Sequence, residues 1–166
     1  MSALLAATGP FVGPPVQWYA LLPLLILVGG GLVLMVAAAL MPRGWPRGGY
    51  AFVTASLAGA AIVLSIFNWH DVADNGPQSL VGGAIALDGF SVFITIVICT
   101  TVLLTSLVAD DYLRREGLEG CELYALLLMS AAGGIVMGSA NDLIVLSLGL
   151  ETLSIALYVI AASHTK

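Results

Sequence analysis

Long apolar runs alternate with short polar breaks along nearly the whole chain. Five runs stand out: about 17–41, "QWYALLPLLILVGGGLVLMVAAALM"; 50–69, "YAFVTASLAGAAIVLSIFNW"; 88–109, opening "DGFSVFITIV"; 122–140, "ELYALLLMSAAGGIVMGSA"; and 142–163. At ~1.5 Å of rise per residue each run crosses a hydrocarbon core of ~30 Å with modest tilt. A spanning segment must satisfy its own backbone hydrogen bonds, and runs of this length do so as helices rather than barrel strands. The pattern predicts an all-α polytopic membrane protein of about five transmembrane helices.

Composition sharpens that expectation. Of 166 residues, 60% are hydrophobic and 9% charged, with a mean hydropathy of +1.05. A soluble domain has about a quarter charged residues, needed to cover its surface. No basic run suits nucleic acid, and the N-terminal stretch "MSALLAATGPFVGPPV" lacks the positive n-region of a signal peptide, so it is read as retained. Cys99 and Cys121 fall at different depths, the first in a span and the second in a charged loop, so neither a disulfide nor a metal site is expected.

The five basic residues set a topology. Arg43 and Arg47 follow the first run, Arg114 and Arg115 the third, and Lys166 the fifth. The 70–83 segment and the 139–142 turn carry none. The positive-inside rule then places the N-terminus outside and the C-terminus in the cytoplasm. Trp18, Tyr19 and Trp69 fall at outer ends, and Trp45, Tyr50 and Tyr112 at inner ends, as interfacial aromatics do. The breaks at 42–49 ("PRGWPRGG") and 70–83 ("HDVADNGPQSLVGG") read as loops, so residues 1–166 form one membrane domain. The short "GSAND" turn at 138–142 makes the fourth and fifth helices an antiparallel pair.

Small and hydroxylated residues are read as packing devices. Ser130, Gly134 and Gly138 repeat every four residues on one face, and Gly29–Gly31 interrupts the first helix; such positions let helices approach closely. Thr95, Thr100, Thr101 and Thr105 can bond the carbonyls four residues back. His70 and His164 are interfacial.

Of ten acids, nine lie at helix ends or in loops: Asp71, Asp74, Asp88, Asp110, Asp111, Glu116, Glu119, Glu122 and Asp142. Asp88, Asp142 and Glu122 sit where N-caps are wanted. Glu151 is the exception. It lies nine residues past Asp142, ~14 Å into the bilayer and near its midplane. Ser147, Ser154 and Tyr158 share its helix face within about 60°, which makes one polar stripe on an otherwise apolar helix. A charge at that depth costs at least ~2.5–3.5 kcal/mol on insertion scales, and a functional role is the default reading. A purely structural hydrogen bond is the bland alternative, but Gln would serve it without that cost.

The residues carry a resemblance from "ALDGFSVF" (86–93) through 108–162. The "DYLRREGLE" and "ELYALLL" entry to the fourth span, the "SANDL" turn and "LGLETLSIALYV" occur in order and spacing. Together they resemble subunit N of bacterial NADH:quinone oxidoreductase, respiratory complex I, an antiporter-like membrane subunit. Residues 1–80 add only a compatible hydropathy pattern.

The resemblance implies a bacterial plasma-membrane subunit that contributes to proton translocation coupled to quinone reduction. It implies other membrane-arm subunits and the lipid bilayer as partners. No cofactor is expected in this chain; NADH, quinone, FMN and iron–sulfur clusters would be used elsewhere in the complex, and the isolated chain is not expected to be catalytic. The family's fifth-helix glutamate maps onto Glu151, with Ser147, Ser154 and Tyr158 holding waters or orienting the carboxylate. In the family that glutamate pairs with a lysine on a later helix. Here the sequence reads as the N-terminal third, and Lys166, at the inner edge, cannot be that lysine. Two alternatives are a subunit of a multi-component cation/proton antiporter and a non-catalytic helical scaffold.

Overall fold

The structure is a computed structural model that describes residues 16–40, 48–116 and 121–163. Arg43, Trp45, Arg47, His164 and Lys166, and with them much of the topology argument, lie outside the described residues. Within them, the five apolar runs are five α-helices: α1 (Trp18–Leu40), α2 (Gly49–Asn75), α3 (Gly89–Glu116), α4 (Cys121–Ser139) and α5 (Leu143–Ser163). All five are long and apolar enough to cross a membrane. The chain is a multi-pass membrane protein.

Helix ends follow local chemistry. At the start of α3, the Asp88 carboxylate accepts from Ser91 N–H at 2.7 Å while Ser91 Oγ accepts from Asp88 N–H at 2.9 Å. This reciprocal box satisfies two backbone donors that helix geometry leaves orphaned. Asp142 caps α5 in the same sense, its carboxylate accepting from Ile144 N–H at 3.3 Å. Glu122 differs from expectation: it is inside the first turn of α4, which begins at Cys121. There an acid interacts favourably with the N-terminal dipole without being the cap. Cys121 is accordingly helical rather than a loop residue, and both cysteines are free.

The expected 70–83 loop is mostly ordered. α2 continues six residues past the apolar run, because His70–Asn75 can stay helical in water once the span has nucleated the helix. Asn75 Nδ2 donates to the Asp71 carboxylate at 2.6 Å across one turn. Gly76 stops the helix at φ +80, its N–H bonded to the Val72 carbonyl, the left-handed conformation glycine tolerates best. A short antiparallel hairpin follows, β1 (Gln78–Leu80) and β2 (Ile85–Leu87), joined by a 3-10 turn at Val81–Gly83. Its strands were not foreseen: three residues each are too few to show a period of two. Gln78 Nε2 ties β1 back to Asp71 at 3.1 Å. The other end grips the α4–α5 turn, where Asn141 N–H donates to the Ala84 carbonyl and Asn141 Nδ2 to the Gly83 carbonyl.

α4 is the centre of the bundle. It packs against α5, α1 and α3, while α2 pairs chiefly with α3. Leu27, Ala58, Cys99, Ala125 and Leu128 are fully buried at these interfaces. The face predicted at Ser130, Gly134 and Gly138 turns toward α3: a Cβ on Gly134 or Gly138 would meet Ile98 or Ile94. The tightest approach lies one residue round the helix. A Cβ on Gly133 would stand 2.6 Å from Leu153 N, and one on Gly149 2.7 Å from Met137 N. α4 and α5 therefore touch backbone to backbone at Gly133 and Gly149, as small-residue membrane interfaces do. Thr95, Thr100 and Thr101 donate to the carbonyls of Ser91, Ile96 and Val97 at 2.8–2.9 Å.

Candidate functional site: the polar face of the fifth helix

The Gly133–Gly149 contact fixes the rotation of α5. Gly149 and Ala156 are buried, with Val145, Leu153 and Ile160 half-buried. At 100° per residue these five cluster about 120–200° away from Glu151. Ser147, Glu151 and Tyr158 consequently stand on the opposite face and are exposed, Tyr158 at 72%, with Ser154 half-buried at its edge. The four residues thus share one face, and that face points away from α4. Among the described residues the Glu151 carboxylate forms no hydrogen bond or ion pair, and the four side chains do not bond one another.

Depth compounds the cost of that position. Glu151 is the ninth of the 21 residues of α5, close to the middle of a helix long enough to span. The described basic side chain, Arg115, is at the far end of α3, paired with Asp111 at 2.7 Å, and both are exposed. No group of three or more His, Cys, Asp and Glu side chains that could hold a metal occurs among the described residues. His70 is exposed, with Nδ1 donating to the Ile66 carbonyl at 2.8 Å. Chemically, the face offers one titratable carboxyl, two hydroxyls and a phenol in a row, which can take up, release or relay a proton once other polar groups or waters meet them.

Two features, one polar and one a packing contact, escaped the sequence reading. Asn68, 4% exposed, donates from α2 to the Ala20 carbonyl of α1 at 3.1 Å; an amide inside "IFNWH" was the available signal. Gly149 stood inside the quoted motif "LGLETLS", but a lone glycine does not announce which helix it meets.

Comparison with known proteins gives this arrangement a context. No family model matches the chain. A protein of Roseiflexus castenholzii named NADH-quinone oxidoreductase subunit N 2 is 34% identical over 148 residues, which is 89% of this chain and 28% of that protein. The family similarity is to NADH-quinone oxidoreductase subunit N. Solibacter usitatus subunit N 1 is 38% identical over 84% of the chain, and Methylobacterium nodulans subunit N 36% over 93%, covering 28% and 30% of those proteins. The chain spans about a quarter to a third of the length of the subunit N proteins it matches. Similarity extends over nearly the whole of it, so it includes α1 and α2, where the sequence alone had offered only a compatible hydropathy pattern.

Proposed function

We propose that this chain is part of a subunit N that sits in the membrane arm of a bacterial NADH:quinone oxidoreductase and contributes to proton translocation. The observation that carries the reading is the polar face of α5: a mid-depth carboxyl aligned with Ser147, Ser154 and Tyr158 on the side away from α4. Left against lipid, an ionised Glu151 would cost several kcal/mol. Such a face is stable when further helices of the subunit cover it with water or a cation. The relatives are about three times longer, so a subunit of their length has chain enough to supply those helices.

In this role Glu151 holds a proton in one state and releases it in the other. Ser147 and Ser154 bind the waters that reach it, and Tyr158 extends the row toward the C-terminal end of α5. NADH, FMN, iron–sulfur clusters and quinone would act in other subunits, supplying the driving reaction. The distribution of Lys and Arg supports a plasma-membrane topology with the N-terminus outside. The names of the relatives favour this assignment over a subunit of a multi-component cation/proton antiporter.

The test is Glu151→Gln in the complete subunit assembled with its partners. Gln keeps shape and hydrogen bonding but cannot titrate. Assembly should be normal and proton transfer per quinone reduced should fall, with Glu151→Asp retaining more of it. Wild-type pumping by Glu151→Gln at matched subunit content would end the proton-carrier role and leave a structural one.

A further inference from the structure

A second polar region lies at the hairpin end of the bundle, away from the α5 face. There α1, α2, α3, α4 and the hairpin line a partly open cavity of about 40 Å³. Its polar lining consists of Ser65 and Asn68 from α2, Ser91 and Thr95 from α3, and Ser139 from α4. Ser65, Asn68, Ser91 and Thr95 are each more than nine-tenths buried. Neither Glu151 nor its companions on α5 reach it.

The hydrogen-bond roles in this lining are one-sided. Each hydroxyl has already committed its proton to a backbone carbonyl: Ser65 to Ala61 at 2.8 Å, Ser91 to Asp88 at 3.0 Å, Thr95 to Ser91 at 2.8 Å and Ser139 to Ile135 at 2.8 Å. Asn68 spends one amide proton on Ala20, while among the described residues its carbonyl oxygen bonds no protein donor. A carbonyl partner can only accept, so these donor assignments leave no freedom. What the side chains still present to the cavity is acceptor lone pairs, one of those on Ser91 Oγ being taken by the Asp88 N–H, together with the second amide proton of Asn68.

We propose that this cavity is a binding site for ordered water. The occupant has to donate to at least two acceptors and accept from one donor, which a water molecule does and an apolar chain cannot. On the same volume measure a water needs ~10–15 Å³ and two to four polar partners, so there is room for two or three. A monovalent cation would meet the acceptors too, but the lining has no carboxylate to offset its dehydration, and the Asn68 N–H would oppose it. The site hydrates the junction of four helices and makes Asn68 its principal anchor, reading both the α1 backbone and the water.

The experiment is a density map of the complete subunit within its membrane complex, at a resolution that shows other buried waters. Expected are discrete peaks within hydrogen-bonding distance of Asn68 Oδ1 and of at least one of the Ser65, Ser91, Thr95 and Ser139 hydroxyls. Replacing sodium by choline throughout purification should leave them in place. Asn68→Leu should abolish them; if that variant does not assemble, Ser65→Ala, which takes away a single acceptor, should displace or remove the peak beside it. Continuous acyl-chain density, no peak in a map that resolves other waters, a peak present only in sodium, or peaks indifferent to both substitutions would each overturn the proposal.

Discussion

Adding one methyl group at Gly149 puts the α4–α5 contact to a quantitative test. The new Cβ would lie 2.7 Å from Met137 N, 2.9 Å from Gly133 O and 3.0 Å from Met137 Cα. All three are backbone atoms, so no side chain can rotate out of the way. Ordinary contact starts near 3.4 Å; the shortfall is 3.4 − 2.7 = 0.7 Å, and α5 must move outward by at least that much. Overpacking of this kind costs ~1–3 kcal/mol, and backbone rigidity points to the upper half of that range. Replacing glycine by alanine in a helix also gains ~1 kcal/mol of propensity, which hides part of the cost. Gly29→Ala removes the ambiguity. Gly29 is in α1 with nothing within 4 Å of the added atom, so it shows the propensity gain alone. The gap between the two variants should therefore be about 2–3 kcal/mol, measured as the difference in unfolding free energy of the subunit in its complex. Gly138→Ala belongs between them, because its clash is with the Ile94 side chain at 2.7 Å, which can shift. Pairing Gly133→Ala with Gly149→Ala should cost less than the sum, since the first outward shift of α5 accommodates both. A gap under about 0.5 kcal/mol between Gly149→Ala and Gly29→Ala would refute the backbone-to-backbone contact, and with it the rotation of α5 that turns Glu151 away from α4.

Asp88→Ala removes the carboxylate half of the capping box on α3 and should lower stability by ~1 kcal/mol in the same assay, while Asp88→Asn should recover most of it; an unchanged Asp88→Ala protein would contradict the cap. Asn141→Ala severs the 2.9 Å bond to the Gly83 carbonyl and should cost ~0.5–1.5 kcal/mol and raise amide exchange in the hairpin ahead of the helices; exchange that rises equally everywhere would show that the hairpin is not held by this turn. On topology, an impermeant thiol reagent applied to intact cells should label Asn75→Cys and spare Gly117→Cys, and the reverse pattern would invert the orientation.

Much of this protein follows from local sequence alone, because a bilayer imposes its demand segment by segment. Each apolar run must satisfy its own backbone hydrogen bonds, so five runs become five helices whatever their neighbours do, with boundaries accurate where lipid ends and uncertain where helix continues into water, as at His70–Asn75. The caps at Asp88 and Asp142, the back-bonded threonines and the isolation of Glu151 among apolar residues are equally local, legible from spacing. Rotation of a helix about its own axis is not. α5 is apolar on most of its circumference, so its pattern of polar and apolar residues does not pick out the side that meets α4; the close backbone approach at Gly133 and Gly149 decides it. The same limit hid Asn68, whose partner on α1, the Ala20 carbonyl, comes from 48 residues away, and the hairpin, whose short strands are held by Asp71 and Asn141 rather than by any pattern of their own. Depth and chemistry of the carboxyl were written in the chain; the direction it faces came only from how two glycines let two helices touch.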